Sequence, residues 1–307
     1  MAAPIIAASI LTADFGNLYR VVRKLERAGV DRIHLDVMDG HFVPNLTFGP
    51  DVTAAIRRLT DLPLDLHLMI AQPSLFVDSF LRAGADSITF HVEAPEPEPA
   101  KREALEAIRA ERRRAGLAIS PGTPLAAVEP YRELLDIVMV MTVVPGAGGQ
   151  RFLRNEAVKI AEARSLLARG TGRGEVHVDG GVNRETALAA GGFGADVLVV
   201  GSALFQRGHD TAREVQLVRS LVEEGRRRAD DGLDAGTSGE WRVVAQLGRS
   251  EAEELTRRME AAGVEAILVP SFGNGEVGGG ERMVLVPAAA ESRARRAMGL
   301  DAREDEP

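Results

Sequence analysis

Two imidazoles and two carboxylates stand where a metal site would need them. In Ile33-His34-Leu35-Asp36-Val37-Met38-Asp39-Gly40 a histidine and an aspartate sit two residues apart on an apolar run. Side chains alternate across a strand, so His34 and Asp36 share a face, and the Met-Asp-Gly that follows ends the strand in a turn. Leu66-His67-Leu68-Met69 and Val176-His177-Val178-Asp179-Gly180-Gly181 bring further candidates to the ends of two more apolar runs. This mixture of nitrogen and oxygen donors suits one borderline divalent cation: Zn²⁺, Fe²⁺, Mn²⁺ or Co²⁺. A single histidine there would read as a hydrogen-bonded interior residue. Four groups at equivalent depth, His34, Asp36, His67 and Asp179, favour a shared ion. His177 points inward with Asp179 but one layer deeper, which predicts a structural role. His91 closes the fourth apolar run and is a candidate neighbour of the ligands; His41 falls in a loop and is expected to be solvated.

These groups need parallel strands whose carboxyl ends converge. Strand patterns occur at Ile5–Ser9, Arg32–Val37, Leu64–Met69, Ser87–Val92, Leu117–Ser120, Ile137–Val143, Glu175–Asp179 and Val197–Val200. Between them lie helical patterns, among them Asn17–Ala28, Ser74–Ala83, Lys101–Ala115, Arg154–Ala168 and Arg184–Ala190. The pairs Ala28-Gly29, Ala83-Gly84 and Ala115-Gly116 read as helix ends, where glycine suits a left-handed residue. Eight β/α units fit an α/β fold of the (β/α)8 (TIM) barrel type better than a flavodoxin-like sheet, which has fewer strands. Barrel enzymes carry their reactive groups at the carboxyl ends of the strands, where all four candidates fall.

Glycines mark a second feature. Pro145-Gly146-Ala147-Gly148-Gly149, Asp179-Gly180-Gly181 and Gly201-Ser202 follow the sixth, seventh and eighth strand patterns. Loops there commonly cradle phosphate through backbone N–H groups. Charge points the same way. Residues 230–307 carry 16 acidic against 9 basic side chains, leaving 29 against 28 in residues 1–229. No basic face of the kind a nucleic-acid binder needs is present, and a bound phosphate would depend on backbone amides.

The 307 residues, 45% of them hydrophobic and 4% aromatic, can form one large domain and a smaller one with an aliphatic core. Absence of cysteine excludes disulfides, thiolate metal sites and a thiol nucleophile. The opening Met-Ala-Ala-Pro-Ile-Ile has no secretory pattern and no segment approaches a membrane span, so a soluble cytoplasmic protein without membrane or nucleic-acid partners is expected. Division of the chain is expected at 1–229 (barrel), 230–240 (a Gly/Asp-rich linker), 241–300 (a small β-α-β-β-α module) and 301–307 (an acidic tail). Within the module, strands are predicted at Arg242–Gln246, Ala266–Pro270 and Met283–Val286, helices at Glu251–Ala262 and Ala290–Met298, and a Gly-rich loop at Gly273–Gly280.

The chain resembles the ribulose-phosphate 3-epimerase family through Ala8-Ser-Ile-Leu-Thr-Ala-Asp14, His34-Leu-Asp-Val-Met-Asp-Gly-His-Phe-Val-Pro-Asn45, Asp65-Leu-His-Leu-Met69, Pro121-Gly-Thr-Pro124, Met141-Thr-Val-Val-Pro-Gly-Ala-Gly-Gly-Gln150, Val178-Asp-Gly-Gly-Val182 and Gly201-Ser-Ala-Leu-Phe205. The resemblance implies that His34, Asp36, His67 and Asp179 bind a divalent metal, with Asp36 as proton acceptor and Asp179 as proton donor. It further implies that Ser9 and His67 contact the sugar, and that Gly146, Ala147, Gly148, Gly149, Gly180, Gly181, Gly201 and Ser202 surround substrate and phosphate. Met38, Met69 and Met141 would line the reacting carbons. The implied activity is epimerisation at C3 of D-ribulose 5-phosphate, a small phosphosugar, by a homo-oligomer. Such chemistry removes a proton beside a carbonyl and returns one to the opposite face, which needs two acids and a Lewis acid to stabilise the enediolate. Two departures stand out: Ala147 replaces the family's usual phenylalanine, and Val144 stands where a polar residue is common.

Rival chemistries fit less well. Related barrel decarboxylases place a lysine where this chain has His67 in Asp65-Leu66-His67, and its only lysines, Lys24, Lys101 and Lys159, lie in helical patterns. A Schiff-base aldolase is disfavoured for the same reason. Epimerisation of a six-carbon ketose phosphate such as allulose 6-phosphate stays open, because Ala147 leaves room. The C-terminal module faintly resembles small signal-transducing domains; the alternative is an appendage for solubility or subunit contact.

Overall fold

The computed structural model describes residues 2–170, 172, 174–206, 208, 210–231, 241–270, 281–287 and 290–298. Residues 232–240 of the expected linker, the Gly-rich loop at 273–280 and the acidic tail at 301–307 lie outside the described residues. Eight parallel strands close into a barrel in chain order: β1 (Ile5–Ser9), β2 (Arg32–Met38), β3 (Leu64–Met69), β4 (Ser87–His91), β5 (Arg114–Ile119), β6 (Ile137–Met141), β7 (Glu175–Asp179) and β8 (Val197–Val200). Strand β8 pairs back onto β1, so the sheet has no edge. Around it run α1 (Leu18–Ala28), α2 (Pro50–Arg57), α3 (Val77–Arg82), α4 (Glu98–Ala110), α5 (Val158–Arg169), α6 (Ala187–Gly192) and α7 (Thr211–Asp230).

Alternation along each strand produces two environments. In β2, Ile33, Leu35 and Val37 join the apolar layer under the helices, as do Leu64, Leu66 and Leu68 of β3 and Ile88 and Phe90 of β4. The residues between them face the barrel axis, and many are polar. At the amino-terminal end Arg32 makes a bidentate pair with Glu175 (2.8 and 2.9 Å), and Arg114 pairs with the same carboxylate. His177 Nε2 lies 3.1 Å from Glu175 Oε2, the structural role its depth predicts. Burying such charges is tolerable because each is paired.

The strand patterns hold, but three details differ from the sequence-based expectation. Ala115-Gly116 is not a helix end. Helix α4 stops at Ala110, the chain reverses through Arg112 in the left-handed region (φ 56°), and Gly116 lies inside β5. The triple-Arg run reads as helix, yet Arg114 is drawn into the barrel by Glu175. At Gly29 and Gly84 the left-handed helix end is present (φ 76° and 96°). Between β5 and β6 the chain forms a 3-10 run, Leu125–Leu134, with Pro130 inside it; proline has no N–H to donate and blocks a regular α-helix there. Helix α2 begins at Pro50, a short segment the sequence pattern does not flag.

The C-terminal region forms β9 (Trp241–Gly248), α8 (Arg249–Ala261), β10 (Ile267–Pro270), β11 (Glu281–Pro287) and α9 (Glu291–Ala297), with β11 central in an antiparallel sheet of order β10-β11-β9. It has its own small core, including Leu255, Met259, Val284 and Ala294. Ile267 and Leu285, by contrast, extend the barrel's outer apolar layer, and Arg228 of α7 pairs with Glu265 at 2.7 Å. Among the described residues no helix is long and apolar enough to cross a membrane.

Gly116 gives a test of the packing. A Cβ there would lie 2.5 Å from Thr89 Oγ1 and 2.8 Å from Ile137 Cβ. Alanine ordinarily stabilises a strand relative to glycine by about 0.5–1 kcal/mol. Here Gly116→Ala is expected to destabilise by about 1–3 kcal/mol through overpacking. Urea unfolding measures the sign; a stabilised variant would contradict the packing.

Candidate metal centre and active site

Strand register assembles the site. Ser9 of β1 lies opposite His34 of β2, Asp36 of β2 opposite His67 of β3, and Asp179 of β7 opposite Met141 of β6. Because β7, β8, β1, β2 and β3 are neighbours around the closed sheet, four separated segments converge on one point near the carboxyl end of the axis. One donor atom from each of His34, Asp36, His67 and Asp179 lies within 4.8 Å of every other. All four residues are buried. His34 Nε2 is 3.5 Å from Asp36 Oδ1 and 4.0 Å from Asp179 Oδ2; His67 Nδ1 is 3.4 and 3.2 Å from the same two oxygens.

The surroundings decide which atoms face that point. His34 Nδ1 lies 2.7 Å from Asp65 Oδ2. An ionised carboxylate only accepts, so Nδ1 carries the proton and the Nε2 lone pair faces the cluster. That buried nitrogen has no hydrogen-bond partner, a cost that a cation would remove. Asp65 is itself held by Ser87 Oγ. Ser9 Oγ donates to Asp36 Oδ2 at 2.6 Å, leaving Oδ1 for the cluster. On the other side His67 Nε2 is 2.9 Å from His91 Nε2, and His91 Nδ1 is 3.0 Å from Glu93 Oε2. The donor set therefore fits a divalent cation in type, number and orientation.

Electrostatics of the protein alone agree. Burial disfavours a charged imidazole, yet Asp36 and Asp65 outweigh it and hold the His34 pKa well above its ordinary value; Asp179 and Asp36 raise that of His67. Burial likewise opposes ionisation of Asp36 and Asp65, but the neighbouring histidines hold both well below the usual carboxylate range. His91 behaves differently: burial, aided by repulsion from His67, pushes it down to about 4. The carboxylates thus favour positive charge at the point they share with the two imidazoles.

Above the cluster opens a cavity of about 410 Å³. Ser9, Asp36 and Asp179 reach into it, Met38, Met69 and Met141 form an apolar lining, and the loops Gly146–Gly149, Gly180–Gly181 and Gly201–Ser202 form its walls. His34 and His67 lie beneath and are not among its lining. Close contact explains two of the glycines: a Cβ at Gly148 would lie 2.6 Å from Thr12 Cγ2, and one at Gly181 2.5 Å from the Phe152 nitrogen. Asn45 Nδ2 donates to the Gly146 carbonyl (3.0 Å), and Gln150 Nε2 donates to those of Val144 and Ala147 (2.6 and 2.8 Å), which fixes the loop. Both departures from the family pattern, Val144 and Ala147, line the cavity. So does Arg151, an exposed residue on the same loop. His41 is exposed, as its loop position predicts.

Sequence reasoning missed Asp65, Ser87, Glu93, Ser120, Asn45, Gln150 and Arg151. Asp65 had a usable signal, since it alternates with His67 on one strand and must share its face. Glu93 lies beyond the end of β4, where no periodicity operates, and Ser120, the last residue of its strand pattern, lies just past the end of β5.

The raised imidazole pKa values set a sign. Their contribution to stability is complete below about pH 6.5, the unfolded value, and is lost as pH rises through the folded values. Metal-free protein should therefore lose thermal stability as pH is raised above about 6.5, and a bound divalent ion, which displaces those protons, should reverse the loss. Melting curves with chelator and with added Zn²⁺ check this; a metal-free Tm that climbs over the same range would contradict it.

Comparison with known proteins adds the family. Residues 5–205 match the ribulose-phosphate 3 epimerase family. The chain is 44% identical over 210 residues to a ribulose-phosphate 3-epimerase of Rhodobacter capsulatus, covering 68% of this chain and 90% of that one. It is 44% identical over 201 residues to that of Bacillus subtilis, with 65% and 91% covered. A chloroplastic ribulose-5-phosphate-3-epimerase of Arabidopsis thaliana is 43% identical over 201 residues, with 66% and 71% covered. A solved 3-hexulose-6-phosphate synthase from Salmonella typhimurium, 16% identical, covers 72% of this chain and 99% of its own with a TM-score of 0.56, a likeness of fold alone. On the strength of the matched residues and these relatives, the chain belongs to the ribulose-phosphate 3-epimerase family and is an epimerase.

Proposed function

We propose that this enzyme interconverts D-ribulose 5-phosphate and D-xylulose 5-phosphate through an enediolate, by a metal-dependent transfer between two carboxylates. One observation carries the reading: Asp36 and Asp179, on strands from different parts of the barrel, both abut His67 Nδ1 at the base of a substrate-sized cavity. A divalent cation held by His34, Asp36, His67 and Asp179 would supply Lewis-acid stabilisation of the charge that develops on the substrate oxygens. Asp36 takes the C3 proton, and its second oxygen is steadied by Ser9. Asp179 returns a proton to the opposite face, and the roles exchange with direction. Met38, Met69 and Met141 exclude water from the reacting carbons without offering a competing proton. The glycine loops and Arg151 receive the phosphate.

A second substrate is favoured by one feature. Ala147 and Val144 reduce bulk and polarity in the wall, so a six-carbon ketose phosphate such as allulose 6-phosphate is the alternative. Relative kcat/KM on the two substrates decides between them. Five-carbon preference is expected; the reverse result would reassign the substrate and leave the chemistry intact. For the chemistry itself, Asp36→Asn and Asp179→Asn are each expected to lower kcat by about 10²–10⁴-fold with an unchanged circular dichroism spectrum. Near-normal turnover in either variant contradicts the assignment.

For the C-terminal module we propose a binding or regulatory role separate from catalysis, since none of its described residues lines the cavity. Removing residues 232–307 should leave kcat and KM within about twofold while lowering Tm. Ile267 and Leu285 are almost wholly buried against the barrel layer, and each such side chain is worth about 1.5–3 kcal/mol. A large loss of turnover at a temperature where the shortened chain stays folded would show that the module supports the site.

A further inference from the structure

A run of side chains behind His67 has no place in the proton transfer itself, yet it is directional and its two imidazoles are fully buried. His67 Nε2 and His91 Nε2 lie 2.9 Å apart. Two ring nitrogens at that distance need one donor and one acceptor. His91 Nδ1 points at Glu93 Oε2, 3.0 Å away, with Ser120 Oγ at 3.2 Å. The other Glu93 oxygen accepts from the Ser120 backbone N–H at 2.7 Å. Phe42 covers the His91 ring, with centroids 4.8 Å apart, and His91 has no exposed surface.

With neutral rings, one proton arrangement satisfies the contacts behind His67. A carboxylate cannot donate, so the proton between Glu93 and His91 sits on His91 Nδ1. His91 Nε2 is then a lone pair, and it accepts from His67 Nε2–H. His67 Nδ1 is left bare, facing Asp36 and Asp179. The hydroxyl of Ser120 could support the opposite tautomer of His91 by donating to Nδ1, but the carboxylate at 3.0 Å overrules it.

We propose that Glu93, acting through His91, is a positioning residue: it fixes the proton of His67 on Nε2 and so keeps the Nδ1 lone pair aimed at the cation. This rests on the metal-dependent reading above. It makes the centre symmetric in logic though not in parts. His34 is set by one carboxylate in direct contact, His67 by a carboxylate one imidazole away. Outer partners of this kind typically change metal affinity by about 10–100-fold.

Glu93→Gln tests the idea sharply. Glu93 receives the His91 Nδ1–H, the Ser120 N–H and a side-chain hydrogen bond from Thr123, and a glutamine has only one oxygen to offer them. When its amide nitrogen faces His91, His91 is driven to carry its proton on Nε2, against the Nε2–H of His67. His91→Phe provides a second variant that removes the acceptor altogether while keeping ring volume. In metal-free, ¹⁵N-histidine-labelled wild-type protein at a pH above the imidazole titrations, nitrogen shifts should show His67 protonated at Nε2 and bare at Nδ1. In both variants that form should lose population, and Zn²⁺ affinity, measured by chelator competition, should fall about 10–100-fold. Wild-type affinity in the variants overturns the proposal, and so does weaker binding with the His67 tautomer unchanged, which would mark a merely structural role. Wild-type protein that binds no Zn²⁺ would overturn the metal-dependent reading along with this one; wild-type binding matched by the variants overturns this inference alone.

Discussion

To hold one divalent cation, two buried imidazoles would have to present lone pairs, not protons, to the same point, and the groups packed behind each ring suit that requirement. An imidazole left to itself in an apolar interior chooses its tautomer by whatever hydrogen bond is nearest. Here an acceptor stands behind each ring, a carboxylate for His34 and, on the proposal above, an imidazole nitrogen for His67. Asp65 holds His34 Nδ1–H from one side, and Ser87 holds Asp65. His91 and Glu93 stand behind His67. The two rings consequently use different nitrogens, Nε2 and Nδ1, to face Asp36 and Asp179.

The fold provides this because a closed parallel barrel has two faces with different duties. Its outer face is aliphatic and stabilises the domain against the helices, which frees the inward positions for polar groups. Those inward positions form a column: Arg32 and Arg114 around Glu175 at one end, His177 and Asp65 in the middle, and the four candidate ligands toward the cavity. Buried polar groups of this density are tolerated only where each has a partner. Among the described residues that lack one, His34 Nε2 is the atom that faces the two carboxylates, and its missing partner is the best single sign of what the site holds.

Legibility in the sequence followed the same division. Strand alternation placed His34 with Asp36, and turn glycines placed the loops above them, because both signals are local. The barrel follows from counting β/α units. What escaped was set by partners distant in the chain. Arg114 reads as the tail of a helix because its attraction to Glu175, on a strand 61 positions later, has no local trace. Gly116 resembles a helix terminator but serves as the gap into which Thr89 and Ile137 fit. Glu93 lies past the end of its strand, where neither spacing nor composition distinguishes it from a solvated loop carboxylate. Arg151 shows its place only once the loop after β6 is folded over the cavity.

One cation gripped by His34 through Nε2, His67 through Nδ1, Asp36 and Asp179 would join all of these parts. Anomalous diffraction from crystals of the full chain grown with Zn²⁺ tests it directly. The account predicts a single strong peak within the barrel, about 2.0–2.2 Å from those two nitrogens and from one oxygen of each aspartate. A peak bound elsewhere, or bonded to the opposite nitrogen of either histidine, would contradict it.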